Sequence, residues 1–311
     1  MNTMIMSETI VPNEADASMS DYTFHQLGRG DAARYAGMTF PSFKELLDVD
    51  DHAVALGVEC AGEVCGMALG YFPPDQDPTV AHLLSLYVDP EHRGRGLGES
   101  LLHRFEEILR DAGKKCVRAT YMTGKSTIEI FEHVLQKCAW DAPHTRMVVV
   151  RSTIPVINKA PWMSLTELPE GMQIVAWGDV TEAQRESLRR SHEEKPWIAE
   201  DLIPFDHEEN YDPCTSVALV HDGQLAGWVI NHQMSRELIR FTCAYMRPDL
   251  QRLGRIVWLY VESVRRMEQH GFHEGIWTIP LKHPRHAAFA RRWMAPYATF
   301  FGETRGVEKR W

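Results

Sequence analysis

Leu83-Leu-Ser-Leu-Tyr-Val-Asp-Pro-Glu-His-Arg-Gly-Arg-Gly-Leu-Gly98, running into Glu99–Ala112, reads as a strand, a glycine-rich turn and an amphipathic helix. Leu83–Val88 is apolar, as a buried strand is. Asp89-Pro90 stops it, because proline removes a ladder donor. Arg93–Gly98 carries three glycines, which let backbone N–H groups approach an anion with no side chain in the way. The helix that follows aims its N-terminal N–H groups and positive dipole end at the same point. Such a stretch suits a phosphate or pyrophosphate. It is not a P-loop, which needs Lys-Ser/Thr after its glycines, and its G-x-G-x-G spacing is not the G-x-G-x-x-G dinucleotide turn.

Outward from this stretch, the chain repeats itself. Pro90, Gly96 and Gly113 mark a strand end, the loop and a helix end; Pro248, Gly254 and Gly271 stand 158 residues later in the same order. Thr120 maps to Thr278 by the same shift, and Gly62–Gly66 matches Gly223–Gly227 at a shift of 161. A repeat this long is a duplicated domain, not a solenoid unit. The 311 residues suffice for two domains at about 150 residues each. We expect a flexible tail over 1–20, a first domain over 21–151, a proline-bearing linker over 152–171 and a second domain over 172–311. In the first, Arg146–Arg151 is expected to close the sheet. Asp31, Ser126 and one of Asp179 or Thr181 are the expected helix caps.

Composition narrows the setting. A net charge of −10 argues against a nucleic-acid partner, which wants a basic face. No apolar run approaches the ~18–20 residues of a membrane span, and residues 1–20 lack the basic and apolar regions of a signal peptide. The six cysteines form no C-x-x-C and read as reduced thiols of a cytoplasmic protein. His270/His273 and His283/His286 have no third ligand at metal spacing, so no metal is expected.

Pro90 followed by Arg93-x-x-Gly96-x-Gly98 resembles motif A of the GNAT (GCN5-related) N-acyltransferases, R/Q-x-x-G-x-G/A. The resemblance covers nearly everything from residue 22 onward. It implies an α/β (α+β) fold: two tandem GNAT-like domains, each a mixed, mostly antiparallel central sheet flanked by helices. It implies acetyl-CoA, or a related short acyl-CoA, as co-substrate. Arg93, Gly94, Arg95, Gly96, Leu97 and Gly98 would then cradle the pyrophosphate. Backbone groups of Leu86, Tyr87 and Val88 would meet the pantetheine arm if the core strand splays from Val117–Tyr121. In the second copy Gln251 and Gly254 match the motif, but Ile256 replaces its last small residue and is expected to crowd a phosphate. The second domain is therefore expected to be a degenerate structural copy.

The chemistry asks for more. An alkyl ammonium of pKa near 10.4 must lose a proton before attack, which at pH 7 costs about 4.6 kcal/mol. In one branch of the family the base lies eleven residues before the motif's first Arg or Gln; that position is His82, and imidazole suits the task. Its counterpart is Arg240, which cannot be a base. The family's usual acid, a tyrosine, maps to Leu135, which cannot donate a proton. Tyr121, Ser126 and His133 are nearby alternatives, of which Tyr121 is taken with His82 as catalytic. Glu193–Asp212 carries eight acids against one lysine, a solvated loop or a pocket for a cationic amine. The expected activity is acyl transfer to a small-molecule amine in a ternary complex, by a monomer or homodimer. The alternatives are a non-catalytic acyl-CoA sensor or interaction module, or catalysis in the C-terminal domain.

Overall fold

The computed structural model describes residues 19–28, 30–49, 52–251 and 255–311. The expected tail lies almost wholly outside them. Twelve strands form: β1 (Tyr22–Gln26), β2 (Ala53–Cys60), β3 (Glu63–Tyr71), β4 (Val80–Val88), β5 (Cys116–Met122), β6 (His144–Thr153), β7 (Met172–Ala176), β8 (Val217–His221), β9 (Gln224–Gln233), β10 (Leu238–Met246), β11 (Glu274–Pro280) and β12 (Phe300–Arg310). The helices are α1 (Ala32–Tyr35), α2 (Leu46–Val49), α3 (Leu97–Asp111), α4 (Ile128–Lys137), α5 (Ile154–Ile157), α6 (Glu182–Glu194), α7 (Ile256–Gln269) and α8 (Pro284–Phe289). They fall into two compact units.

Unit 1 holds residues up to Tyr121, then Ser126–His144 and Gly306–Trp311. Its strands run in the order β1-β2-β3-β4-β5, with the end of β12 beside β5. All pairs from β1 to β4 are antiparallel and β4–β5 is parallel. One face is covered by α3, whose Leu97, Leu101, Leu102, Phe105 and Leu109 are buried with Ala81, Leu83, Val117 and Ala119. Each of the leucine, valine and phenylalanine side chains contributes about 1.5–3 kcal/mol on burial. The opposite face packs Leu69, Met67 and Leu84 with Tyr35 and Leu47.

Unit 2 holds Met122–Lys125 and Thr145–Arg305. Its order is the start of β12, then β6-β11-β10-β9-β8-β7. Here α7 covers one face, with Phe241, Trp277 and Tyr260 at its centre, and α6 with the turns at Glu200–Leu202 and Pro204–His207 covers the other around Trp177 and Trp228. Thr181 caps α6 through a capping box with Gln184. Thr181→Ala is expected to cost about 1 kcal/mol in a urea titration, while Asp31 and Ser126, the other expected caps, make no such bond: Asp31 accepts from Gly28 N instead and Thr127 stands at the start of α4.

The duplication is visible in irregularities as well as in strands. Both hairpin turns place two residues in the left-handed region, Ala61/Gly62 and Asp222/Gly223, the geometry of a tight primed turn. Each unit carries a bulge in the same place: Leu84 is the extra residue of β4 against β3, and Thr242 of β10 against β9.

One strand is not where the sequence led us to expect. Arg146–Arg151, in β6, pairs antiparallel with β11 of unit 2, from Glu274↔Thr153 to Pro280↔Met147. The place beside β5 in unit 1 goes to the chain's last residues. Val148, Val149 and Val150 are fully buried there, so the apolar pattern marks a central strand correctly but does not specify its partner. The stretch read as a linker is also built in: Ile154, Ile157, Ala160 and Trp162 belong to the core of unit 2.

Candidate functional site

In unit 1 the parallel pair β4–β5 runs from Val80↔Cys116 only as far as Leu83↔Ala119. Beyond it, Leu84–Val88 and Thr120–Met122 no longer pair with each other, leaving a fork between the two strands. The expected splay is therefore present, and Leu86, Tyr87 and Val88 lie on its β4 side.

The loop that follows is held at both ends. Asp89 Oδ1 accepts from Glu91 N (3.1 Å), and Arg93 Nε donates to Val88 O (2.9 Å). Gly94 (φ 77°) and Gly96 (φ 78°) are left-handed, a region in which a side-chain-bearing residue is strained. Gly96 caps α3 without a side chain, and the first intrahelical bond is Ser100 N to Gly96 O (3.0 Å). The amides of Leu97, Gly98 and Glu99 thus have no intrahelical acceptor. Arg93 is exposed and Arg95 half-buried beside these amides, an arrangement of donors and positive charge that can receive an anion. A Cβ on Gly98 would sit 3.7–3.8 Å from Val134 and Val88 side chains, ordinary contact on the core side of the helix.

His82 and Tyr121 are not brought face to face. His82 alternates with the core residues Ala81 and Leu83, so it projects from the face of Leu84, under α1 and α2. Tyr121 packs on the α3 side, edge-on to Phe131 (5.0 Å between centroids), and its hydroxyl donates to Glu132 Oε1 (2.7 Å). Leu135 is buried in the core and His133 is exposed on α4. On the His82 face, Ser85 Oγ meets Thr39 Oγ1 (2.7 Å). Arg118, the register partner of His82 in β5, donates through Nε to Glu308 Oε2 (3.0 Å). The guanidinia of Arg310 and Arg118 hold the Glu308 carboxyl below its usual range. No sequence signal pointed to Glu308, which lies 190 residues from Arg118 and meets it only because the last strand closes unit 1.

Unit 2 keeps the same frame. Its parallel pair β10–β11 ends at Phe241↔Trp277 and then forks. Gln251 Nε2 donates to Met246 O (2.8 Å), the counterpart of the Arg93–Val88 bond. Arg252, Leu253 and Gly254, including the motif glycine, lie outside the described residues. The expectation that Ile256 crowds a phosphate is not supported. Its side chain is buried in the unit's core, because this position on the first turn of α7 faces the sheet. Cys60, Cys65, Cys116, Cys138, Cys214 and Cys243 are free thiols; burial pushes Cys138 up to about 11 and Cys243 up to about 12. Among the described residues no three His, Cys, Asp or Glu side chains converge to hold a metal, and no helix is long and apolar enough to cross a membrane.

A mixed sheet with a forked parallel pair, followed by a glycine loop at a helix N-terminus, is the frame of unit 1. Residues 20–135 match the family described as Acetyltransferase (GNAT). No curated protein matches the sequence. Three solved structures share the fold. A tandem GNAT protein from the clavulanic acid biosynthesis pathway is 13% identical, with 93% of this chain and 98% of that one covered and a TM-score of 0.54. A GCN5-related N-acetyltransferase from Sphaerobacter thermophilus is 16% identical, with 94% and 97% covered and a TM-score of 0.58. The glucosamine N-acetyltransferase region of a fungal multi-domain GH3 β-N-acetylglucosaminidase is 12% identical, with 97% of this chain and 40% of that one covered and a TM-score of 0.57. Over residues 20–135 the chain is similar to that family, and its fold is that of tandem GNAT proteins.

Proposed function

We propose that unit 1 transfers an acetyl or related short acyl group from acyl-CoA to the amine of a small molecule, in a reduced cytoplasmic setting. The supporting observation is a single coincidence: an open strand fork leads directly into an uncapped helix N-terminus on a loop with two left-handed glycines. Acyl-CoA supplies the activated thioester. Arg93, Gly94, Arg95, Gly96, Leu97 and Gly98 would hold its diphosphate through backbone N–H groups and two guanidinium charges. Leu86, Tyr87 and Val88 line the β4 side of the fork, where the backbone edge not used by β3 would meet the pantetheine arm. The amine attacks the thioester carbonyl directly, so no residue need carry the acyl group.

His82 is the proposed proton acceptor. It stands one residue before the last paired position of β4, on the face covered by α1 and α2. His82→Ala is expected to lower kcat by about 10²–10⁴-fold, the usual worth of a general base, with part of the loss recovered at high pH, where more of the amine is already neutral. A pH–rate profile superimposable on that of the parent enzyme removes His82 from the mechanism. Tyr121 enters as proton donor to the leaving thiolate only by exchanging its bond to Glu132; full kcat in Tyr121→Phe means the thiolate leaves without it. The function itself is tested by incubating the protein with acetyl-CoA and a panel of amines. Steady thiol release supports the enzyme, and tight binding without turnover supports an acyl-CoA sensor.

A further inference from the structure

The edge strand β7 and the helix α7 of unit 2 enclose a cleft of about 270 Å³. Its strand side carries Met172 and Ile174, and the segment leading into β7 adds Leu165 and Leu168. Its helix side carries Trp258, Val261, Glu262 and Arg265, which stand at i, i+3, i+4 and i+7 and so form one stripe of α7. Val261 is buried, Trp258 is half-buried and Leu165 is 48% exposed. Six apolar side chains thus converge beside solvent instead of closing into the core.

The duplication supplies an internal comparison. The 158-residue shift places Ser100, His103, Arg104 and Glu107 of α3 where α7 has Trp258, Val261, Glu262 and Arg265. That stripe of α3 is polar throughout and largely exposed. Phe24↔Val58 in β1–β2 corresponds to Ile174↔Leu219 in β7–β8, so Phe24 stands at the place of Ile174. In unit 1 the Arg104 guanidinium lies over the Phe24 ring (4.4 Å) and bridges helix and edge strand. In unit 2 Glu262 and Ile174 cannot make that contact, and Glu262 is drawn along the helix to Arg266 Nε (2.8 Å). The bridge is lost, and apolar Trp258 and Val261 have replaced a serine and a histidine beside it. Arg265 is exposed and has no hydrogen-bond or ion-pair partner among the described residues.

Charge and size name the occupant. Glu262 and Arg265 are the two charged residues that line the cleft. With Glu262 committed to Arg266, the uncommitted charge is a guanidinium, which selects a carboxylate. The Trp258 indole offers a flat apolar face to a ring. A cavity of about 150 Å³ holds a benzene molecule, so this larger cleft has room for a ring with a short arm. We propose that the cleft between β7 and α7 binds a small arylalkyl carboxylate, its apolar part against Trp258, Ile174 and Val261 and its carboxylate at Arg265. The site belongs to unit 2 alone and does not rest on the acyl transfer proposed for unit 1.

The test uses the full chain and ligand-observed NMR, titrating phenylacetate and its neutral counterpart phenethyl alcohol separately. Saturable binding of phenylacetate is expected, with the alcohol about fivefold weaker or more, the worth of one partly exposed ion pair. Arg265→Met should bring phenylacetate down to the affinity of the alcohol. The double variant Ile174→Phe/Glu262→Arg rebuilds the bridge of unit 1 across the cleft and should abolish binding of both. Trp258→Ser, which installs the unit 1 residue, should weaken both alike. The melting temperature of each variant reports on folding. No saturable binding of phenylacetate, or undiminished binding by a folded Ile174→Phe/Glu262→Arg protein, overturns the proposal. Equal binding of the alcohol, or a folded Arg265→Met protein that binds phenylacetate as the parent does, overturns the ligand class. Loss of acetyl-CoA binding alone bears on unit 1 and not on this site.

Discussion

Gly96→Val is expected to abolish measurable acetyl-CoA binding by calorimetry while leaving the protein folded. The cause is conformational. A Cβ at position 96 meets no atom within 4 Å, so there is no clash to relieve by a small shift. The backbone there has φ 78°, and a β-branched residue does not tolerate that region. The chain must re-route between Arg93 and α3, and the amides of Leu97, Gly98 and Glu99 then no longer converge on one anion. Each charge-assisted hydrogen bond to a phosphate is worth about 1.5–3 kcal/mol, so losing two or three removes several powers of ten in affinity. Gly98 responds differently. It lies inside α3 with ordinary contacts to Val134 and Val88, so Gly98→Ala should bind nearly as well as the parent, and the double variant Arg93→Ala/Gly98→Val should fail chiefly through Arg93 and the added bulk. If Gly96→Val binds acetyl-CoA undiminished, the loop of unit 1 is not the diphosphate site.

Lys309→Met is expected to destabilise the protein by about 3–5 kcal/mol, the cost of stranding a buried charge. Lys309 Nζ lies 2.5 Å from Glu106 Oε2 and 2.6 Å from Cys138 O, with Glu106 1% exposed in the middle of α3. The other Glu106 oxygen accepts from Trp140 Nε1 (2.7 Å). The lysine therefore fastens the chain's last strand to the main helix of unit 1. Pairing the change with Glu106→Leu should recover much of the loss, because an apolar pair of similar volume replaces an ion pair at little net cost. Chemical denaturation of the two single variants and the double variant measures this directly; strict additivity would show that the pair is not coupled.

The legible part of the chain was the part whose signal is local. Proline, glycine spacing and helical periodicity around residues 83–113 located β4, the loop and α3 within a residue or two, because turn chemistry and side-chain period are properties of consecutive residues. The same signals, repeated 158 residues later, located β10 and α7. Strand partnership was not legible. Val148–Val150 looks equally at home in either sheet, and only the assembled fold puts β6 against β11 and the chain end against β5. The direction of Ile256 was missed for a related reason: alignment to a motif gives a residue's place in the order but not the face of the helix it occupies.

For this protein, sequence by itself determined the duplication, the strand–glycine loop–helix unit around Arg93–Gly98 and the replacement of His82 by Arg240 between copies. Each of these is a matter of residue type at a fixed spacing. Tertiary structure alone decided that His82 and Tyr121 project from opposite faces, that Glu308 joins Arg118, and that Arg240 lacks a counter-charge among the described residues. Those outcomes depend on strand register, on bulges at Leu84 and Thr242, and on which distant strand closes each sheet. They arise from contacts between residues up to 190 positions apart, for which no local pattern in the chain carries a signal.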